Sequence, residues 1–121
     1  MLVDNTTPIF IQIIEKLKDD ILTGVYEADE LIISTNQIAK LYSVNPATAV
    51  KSVSILQDEE ILYKKRGIGM RVAAQAKEKI LKERTERFFH QVIPQTIGEA
   101  KKIGITKEQL IKVITEDENY D

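Results

Sequence analysis

The stretch Ser43-Val44-Asn45-Pro46-Ala47-Thr48-Ala49-Val50-Lys51-Ser52-Val53 places a proline inside a segment that otherwise reads as helix. Val44, Ala49, Val53 and Leu56 recur around it at helical spacing. A proline in a helix interior removes a ladder hydrogen bond and clashes with the preceding turn, so it must break a helix or start one. Asn45 settles which. Its short side-chain oxygen suits an N-cap, and Pro46 is then pre-set in φ for the first turn, where a missing N–H costs nothing. The pair predicts a helix from Pro46 to about Asp58. A second start lies just upstream. Ser34-Thr35-Asn36-Gln37 has the capping-box pattern, in which the serine accepts from the backbone three residues on and the glutamine reaches back. Ile38, Ala39 and Leu41 supply the apolar face of a helix ending near Tyr42. Two short helices joined by so tight a turn are a helix-turn-helix pattern.

The flanks extend it. Thr7 is placed to cap a helix over about 8–23 with Pro8 in its first turn. Ile9, Ile13, Leu17 and Ile21 recur every four residues, and Gly24 offers a left-handed stop. After a polar turn at Glu27–Glu30, the run Leu31–Ile33 predicts a brief strand. Beyond Asp58, Ile61 to Lys64 alternates as a strand does, Gly67 and Gly69 mark a turn, and Met70–Val72 returns. This hairpin carries Lys64, Lys65 and Arg66 at its tip. The expected fold is α+β and mainly α: a winged helix-turn-helix over 1–74, then a helical dimerisation domain over 75–121.

That second segment is helix-rich but short. Pro94 should kink or divide it near Val92–Ile93, and Gly104 should stop it. Thr106-Lys107-Glu108-Gln109 repeats the capping-box pattern and opens a last helix; the acidic terminal EDENYD is expected to fray. Two or three helices in so few residues cannot close a core of their own, so their apolar members need a partner surface. A second copy of the chain is the simplest one. Ile80, Leu81, Phe88, Phe89, Val92, Ile97, Leu110 and Ile114 are the residues expected to form a homodimer.

Composition narrows the function. No apolar run approaches a bilayer span, and MLVDNTTP lacks the basic and apolar regions of a signal peptide, so a cytoplasmic protein with no membrane partner is expected. Cysteine is absent and His90 is the single histidine, so no metal site, thiolate chemistry or cofactor is expected. The carboxylates form no recognisable catalytic pair, and Gly67-Ile68-Gly69 lacks the remaining residues of a nucleotide loop. Lys77, Lys79, Lys82, Arg84 and Arg87 alternate with Glu78, Glu83 and Glu86, as on a solvated helix. An enzyme is therefore not expected. Net charge is −2, so any basic footprint must be local.

PIFIQIIEKLKDDILTGVY, then STNQIAKLYSVNPAT, then EEILYKKRGIGMRVA, together resemble the GntR family of bacterial transcription regulators. The Asn-Pro-x-Thr element and the short helical tail resemble its YtrA-type branch. The resemblance covers nearly the whole chain. It implies a winged-helix DNA-binding domain, a small helical dimerisation domain and a palindromic operator on double-stranded DNA. The chain departs from the family's pattern at three places. Ala28-Asp29 stands where Pro-Gly is usual, Asn36 where a DNA-contacting arginine is usual, and Arg71 where the wing usually carries an aromatic.

Groove reading needs a helix start that fits the major groove, hydrogen-bonding groups on it, and cations for phosphate. Asn45, Ala47, Thr48 and Lys51 cluster at one such start. Thr48 can bond a phosphate, Lys51 a phosphate or guanine, and Ala47 a thymine methyl. Val50 either points to a base or packs at the core edge. Asn45 and Ser34 are caps first and DNA contacts second; Asn36 lies beside Ser34. Lys64, Lys65 and Arg66, at the Gly67 turn, are candidate phosphate or minor-groove contacts, and Arg71 is a further one. Residues 1–74 hold eight Lys or Arg against ten Asp or Glu, so this segment is not basic, and binding is expected to be weak without dimerisation and strongly salt-sensitive. The leading expectation is a dimeric regulator, a repressor, binding a palindromic operator. The alternative is a winged-helix interaction module that has lost DNA affinity. No effector is named by the sequence, and no residue is assigned to one.

Overall fold

A computed structural model describes residues 6–120; the readings made at Met1–Asn5 and at Asp121 lie outside the described residues. The first helix, α1 (Ile9–Leu22), buries Ile13, Ile14, Leu17 and Ile21 along one stripe. Its N-cap is Pro8 rather than Thr7, with no side-chain cap. Lys18 is also buried on this stripe. Its stem runs along the apolar face, and its ammonium reaches Glu59 at 3.2 Å.

The two helices expected from their caps follow as α2 (Thr35–Leu41) and α3 (Pro46–Asp58). Between them the chain turns in a Schellman motif. Val44 N–H donates to Ala39 O (3.0 Å) and Ser43 N–H to Lys40 O (3.3 Å), with Ser43 left-handed at φ 53. The helix α3 buries Ala49, Ser52, Val53 and Leu56 against α1 and α2. Glu60, left-handed at φ 60, ends α3 in the same way, with Ile61 N–H donating to Leu56 O.

The wing is an antiparallel pair, β1 (Leu62–Lys64) and β2 (Met70–Val72), in the register Leu62↔Val72, Tyr63↔Arg71, Lys64↔Met70. Leu62 and Val72 face the core and are buried. The strand expected at Leu31–Ile33 contracts to one bridging residue, Leu31 opposite Arg71.

Next comes α4 (Ala76–Arg87). Two compact units divide inside it, between Lys82 and Glu83 rather than after Ala74. The reason is packing: Ala76 and Ile80 are fully buried in the same core as α1, α3 and the wing. Ile80, expected at a dimer interface, is therefore a core residue of the first unit.

In the second unit a π-helical turn (Phe88–Val92) leads into α5 (Ile93–Lys102). The wider turn comes immediately before Pro94, where an α-helical ladder would place the proline ring against the carbonyl four residues back. Gly104, left-handed at φ 76, ends α5. The last helix, α6 (Lys107–Thr115), opens with both hydrogen bonds of the Thr106–Gln109 capping box. This unit buries little: Ala100 is its one buried apolar residue among those described.

Candidate nucleic-acid interface

The start of α3 is fixed by its cap. Asn45 Oδ1 accepts from Ala47 N–H at 2.9 Å, and Pro46 occupies the first turn. Asn45, Ala47, Val50 and Lys51 are exposed and Thr48 is half-buried. Inward-facing Ser52 donates its hydroxyl to the carbonyls of Thr48 (3.0 Å) and of Phe10 (3.2 Å), which ties this turn to the start of α1. Lys51 Nζ lies 3.8 Å above the centroid of the Phe10 ring. That cation–π contact holds the ammonium beside the start of α1. Val50 is 50% exposed and lines a cleft of about 270 Å³ with Ile33, Ser34, Lys64 and Met70, between the start of α2, the body of α3 and the wing. This valine thus packs at an edge with half of its surface facing out.

At the start of α2, Ser34 Oγ accepts from Gln37 N–H (3.1 Å), and Gln37 Oε1 accepts from Ser34 N–H (2.7 Å). The hydroxyl proton of Ser34 remains available to a phosphate oxygen. Asn36 is exposed on the same turn. Lys64 ends β1, and Lys65, Arg66 and Gly67 form the exposed tip. Ile68 N–H donates to Lys65 O (3.1 Å) to close that tip, and Gly67 takes the φ of 77 that the turn requires.

Arg71 is placed differently. It is half-buried, and its Nη1 donates to Asp29 O at 2.7 Å. Asp29 is itself left-handed, at φ 67. Two of the chain's three departures from the family pattern therefore meet in one hydrogen bond. Sequence reasoning missed this contact, as it missed Phe10 beneath Lys51. Neither pair has a fixed spacing along the chain that would reveal it.

Charge is segregated within the first unit. Lys16 pairs with Asp20 at 2.8 Å, Lys18 with Glu59, and Lys79 with Glu60 at 3.1 Å. Hydrogen bonding to Asp20 and its charge raise the Lys16 pKa. Burial pushes the Tyr42 phenol up, and the nearby Asp20 charge adds to this. Among the described residues no ion pair engages Lys51, Lys64, Lys65 or Arg66. Acids of this unit are thus engaged at the ends of α1 and α3, while the cations at the start of α3 and on the wing carry no ion pair among the described residues. Among the described residues, no three His, Cys, Asp or Glu side chains are placed to hold a metal, and no helix is long and apolar enough to cross a membrane.

Comparison with known proteins agrees with this geometry. The family described as "Bacterial regulatory proteins, gntR family" matches residues 11–72, from α1 through β2. The HTH-type transcriptional repressor YtrA of Bacillus subtilis is 29% identical over 112 residues, covering 93% of this chain and 85% of that protein. A GntR family transcriptional regulator from Listeria monocytogenes superposes with a TM-score of 0.77 at 30% identity, over 96% of this chain and all of that one. AraR(DBD) in complex with an operator superposes with a TM-score of 0.54 at 25% identity, over 60% of this chain and 88% of that one.

Proposed function

Because the chain belongs to the GntR family of bacterial regulatory proteins, we propose that it works as a homodimer that binds a palindromic operator and represses the genes beside it. It is a DNA-binding transcription regulator with a winged-helix fold. The observation that carries the fuller reading is the start of α3. A side-chain cap fixes where this helix begins, its leading residues Ala47, Val50 and Lys51 are exposed with Thr48 half-buried among them, and the exposed wing cations Lys64, Lys65 and Arg66 have no ion pair among the described residues.

In this reading the first turn of α3 enters the major groove. Ala47 and Val50 offer apolar contacts suited to thymine methyls, and Thr48 offers a hydroxyl. Lys51, Ser34 and the wing cations Lys64, Lys65 and Arg66 neutralise or bond phosphates and set the register. Asn36 adds a neutral hydrogen-bonding group at the start of α2. With so few polar groups on the reading edge, base-step shape contributes to selectivity. The work is recognition rather than catalysis; it calls for neither metal nor cofactor and takes place in the cytoplasm with the chromosome.

Support for the dimer comes from the second unit. Phe88, Phe89, Val92, Ile97 and Ile114 are all at least two-fifths exposed, more apolar surface than so small a unit leaves uncovered in water. Leu81 and Leu110 belong to the same expected interface. A two-fold partner also accounts for a palindrome, with half-sites about 34 Å apart, one helical turn, or a multiple of it. The name of the relative YtrA, a transcriptional repressor, supports the sign. Selection of binding sites from random duplex DNA at low salt tests the reading. An enriched palindrome is expected; enrichment of none would leave a winged-helix interaction module instead.

A further inference from the structure

The connection between α1 and α2 lies along β2 as if it were a third strand one residue long. Asp29 N–H donates to Val72 O (2.8 Å), Val72 N–H to Glu30 O (3.0 Å) and Ile32 N–H to Met70 O (3.0 Å), around the Leu31–Arg71 bridge. The packing there is tight: a Cβ on Gly69 would meet Leu31 Cδ1 at 3.1 Å. Arg71 completes the joint. Its Nη1 takes the carbonyl of Asp29, so both backbone polar groups of that left-handed residue are tied to β2, one through the main chain and one through the side chain. The Nε of Arg71 is shielded from solvent with no hydrogen-bond partner among the described residues. An arginine serving as a free phosphate contact would carry no such desolvation cost.

We propose that Arg71 is a positioning residue: by clamping the carbonyl of Asp29 it fixes the wing against the α1–α2 connection, and so sets where Lys64, Lys65 and Arg66 meet DNA without touching the DNA itself. Lys64 ends a strand paired residue for residue with β2, and Lys65 and Arg66 follow it directly, so a shift of β2 moves all three cations. The proposal rests on the reading of the wing tip as a phosphate contact.

Four full-length proteins separate the possibilities: wild type, Arg71→Ala, the pair Lys65→Ala with Arg66→Ala, and the triple variant. Affinity is measured on the operator recovered by selection, and amide hydrogen exchange is measured on the free proteins. Arg71→Ala is expected to weaken binding roughly three- to ten-fold, the scale of losing one or two phosphate contacts. The triple variant is expected to bind only slightly more weakly than the wing pair, because a misplaced wing stripped of its two tip cations has only Lys64 left to lose. In the free protein, Arg71→Ala should speed exchange at the Asp29 and Val72 amides and leave those of Ile38 and Leu56 unchanged, which a general loss of stability would not do. A full Arg71→Ala penalty that persists in the triple variant would overturn the proposal in favour of direct contact. Unchanged exchange at Asp29 and Val72 would overturn the clamp. Should the wing pair bind like wild type, the wing–DNA reading fails instead, and faster exchange at Asp29 and Val72 would alone uphold the clamp.

Discussion

Asn45 does two jobs with one side chain. It satisfies a backbone donor at the start of α3, and it fixes the rotation at which Ala47, Thr48 and Val50 leave the helix. Asn45→Ala should cost about 1 kcal/mol of stability in urea denaturation, the usual worth of an N-cap. Lys65 is a simpler case, an exposed cation with no ion-pair partner among the described residues. Lys65→Ala should weaken binding equally across DNA sequences and lower the slope of log affinity against log salt by about one. Tyr42 gives a prediction in pH. Its phenol is partly buried near Asp20, so its pKa is higher in the folded chain than in the unfolded one. A raised pKa means that ionisation is resisted by the fold. The stability linked to it is fully present below the unfolded value near pH 10 and is lost as pH rises toward the folded value. Tyr42→Phe, which cannot ionise, should therefore show a shallower fall in stability above about pH 10 than wild type does.

The elements end more uniformly than they begin. The helices α2, α3 and α5 all close on a left-handed residue that donates back to the preceding turn: Ser43, Glu60 and Gly104 respectively. Only the glycine was legible as a stop. A left-handed serine or glutamate bears a steric cost of about 1–2 kcal/mol that the surrounding packing must offset, and no residue type announces it. Ser43→Gly should accordingly raise the melting temperature of the helix-turn-helix, by up to about 1 kcal/mol in stability, without altering the cap at Asn45. The starts of α2, α3 and α6 were legible because capping is chemistry between residues two or three apart. The two wing strands and their glycine turn were legible for the same local reason, whereas the kink or division expected near Pro94 is a π-helical turn running on into α5. What stayed hidden depends on the packed core. The Leu31–Ile33 strand shrank to one residue because the connection meets only β2, and Ile80 left the expected interface because α4 begins inside the first core. The clamp at Asp29 and the seat of Lys51 on Phe10 join residues about forty positions apart, beyond the reach of any local pattern.

At the scale of the whole molecule, a well-filled winged unit is joined to a helical unit that keeps its apolar side chains outside. In the proposed reading the first unit carries the DNA-contacting groups, and the palindrome follows from two copies joined through the second. Phe89 is 62% exposed and stacks edge-on against Phe88 at 5.3 Å, so Phe89→Glu should leave the winged unit folded while shifting sedimentation at micromolar concentration from dimer to monomer. Operator affinity should fall with it, because a monomer holds one half-site only. A variant that stays dimeric would move the interface away from this face. The central claim, that the capped start of α3 reads sequence while the wing supplies affinity, is tested most directly by binding-site selection run side by side on wild type, Ala47→Asn and Lys65→Ala. The wild type should enrich a palindrome, Lys65→Ala the same palindrome with weaker binding, and Ala47→Asn a palindrome altered at the same position in both half-sites. An Ala47→Asn selection identical to wild type, or a Lys65→Ala selection with changed bases, would contradict it.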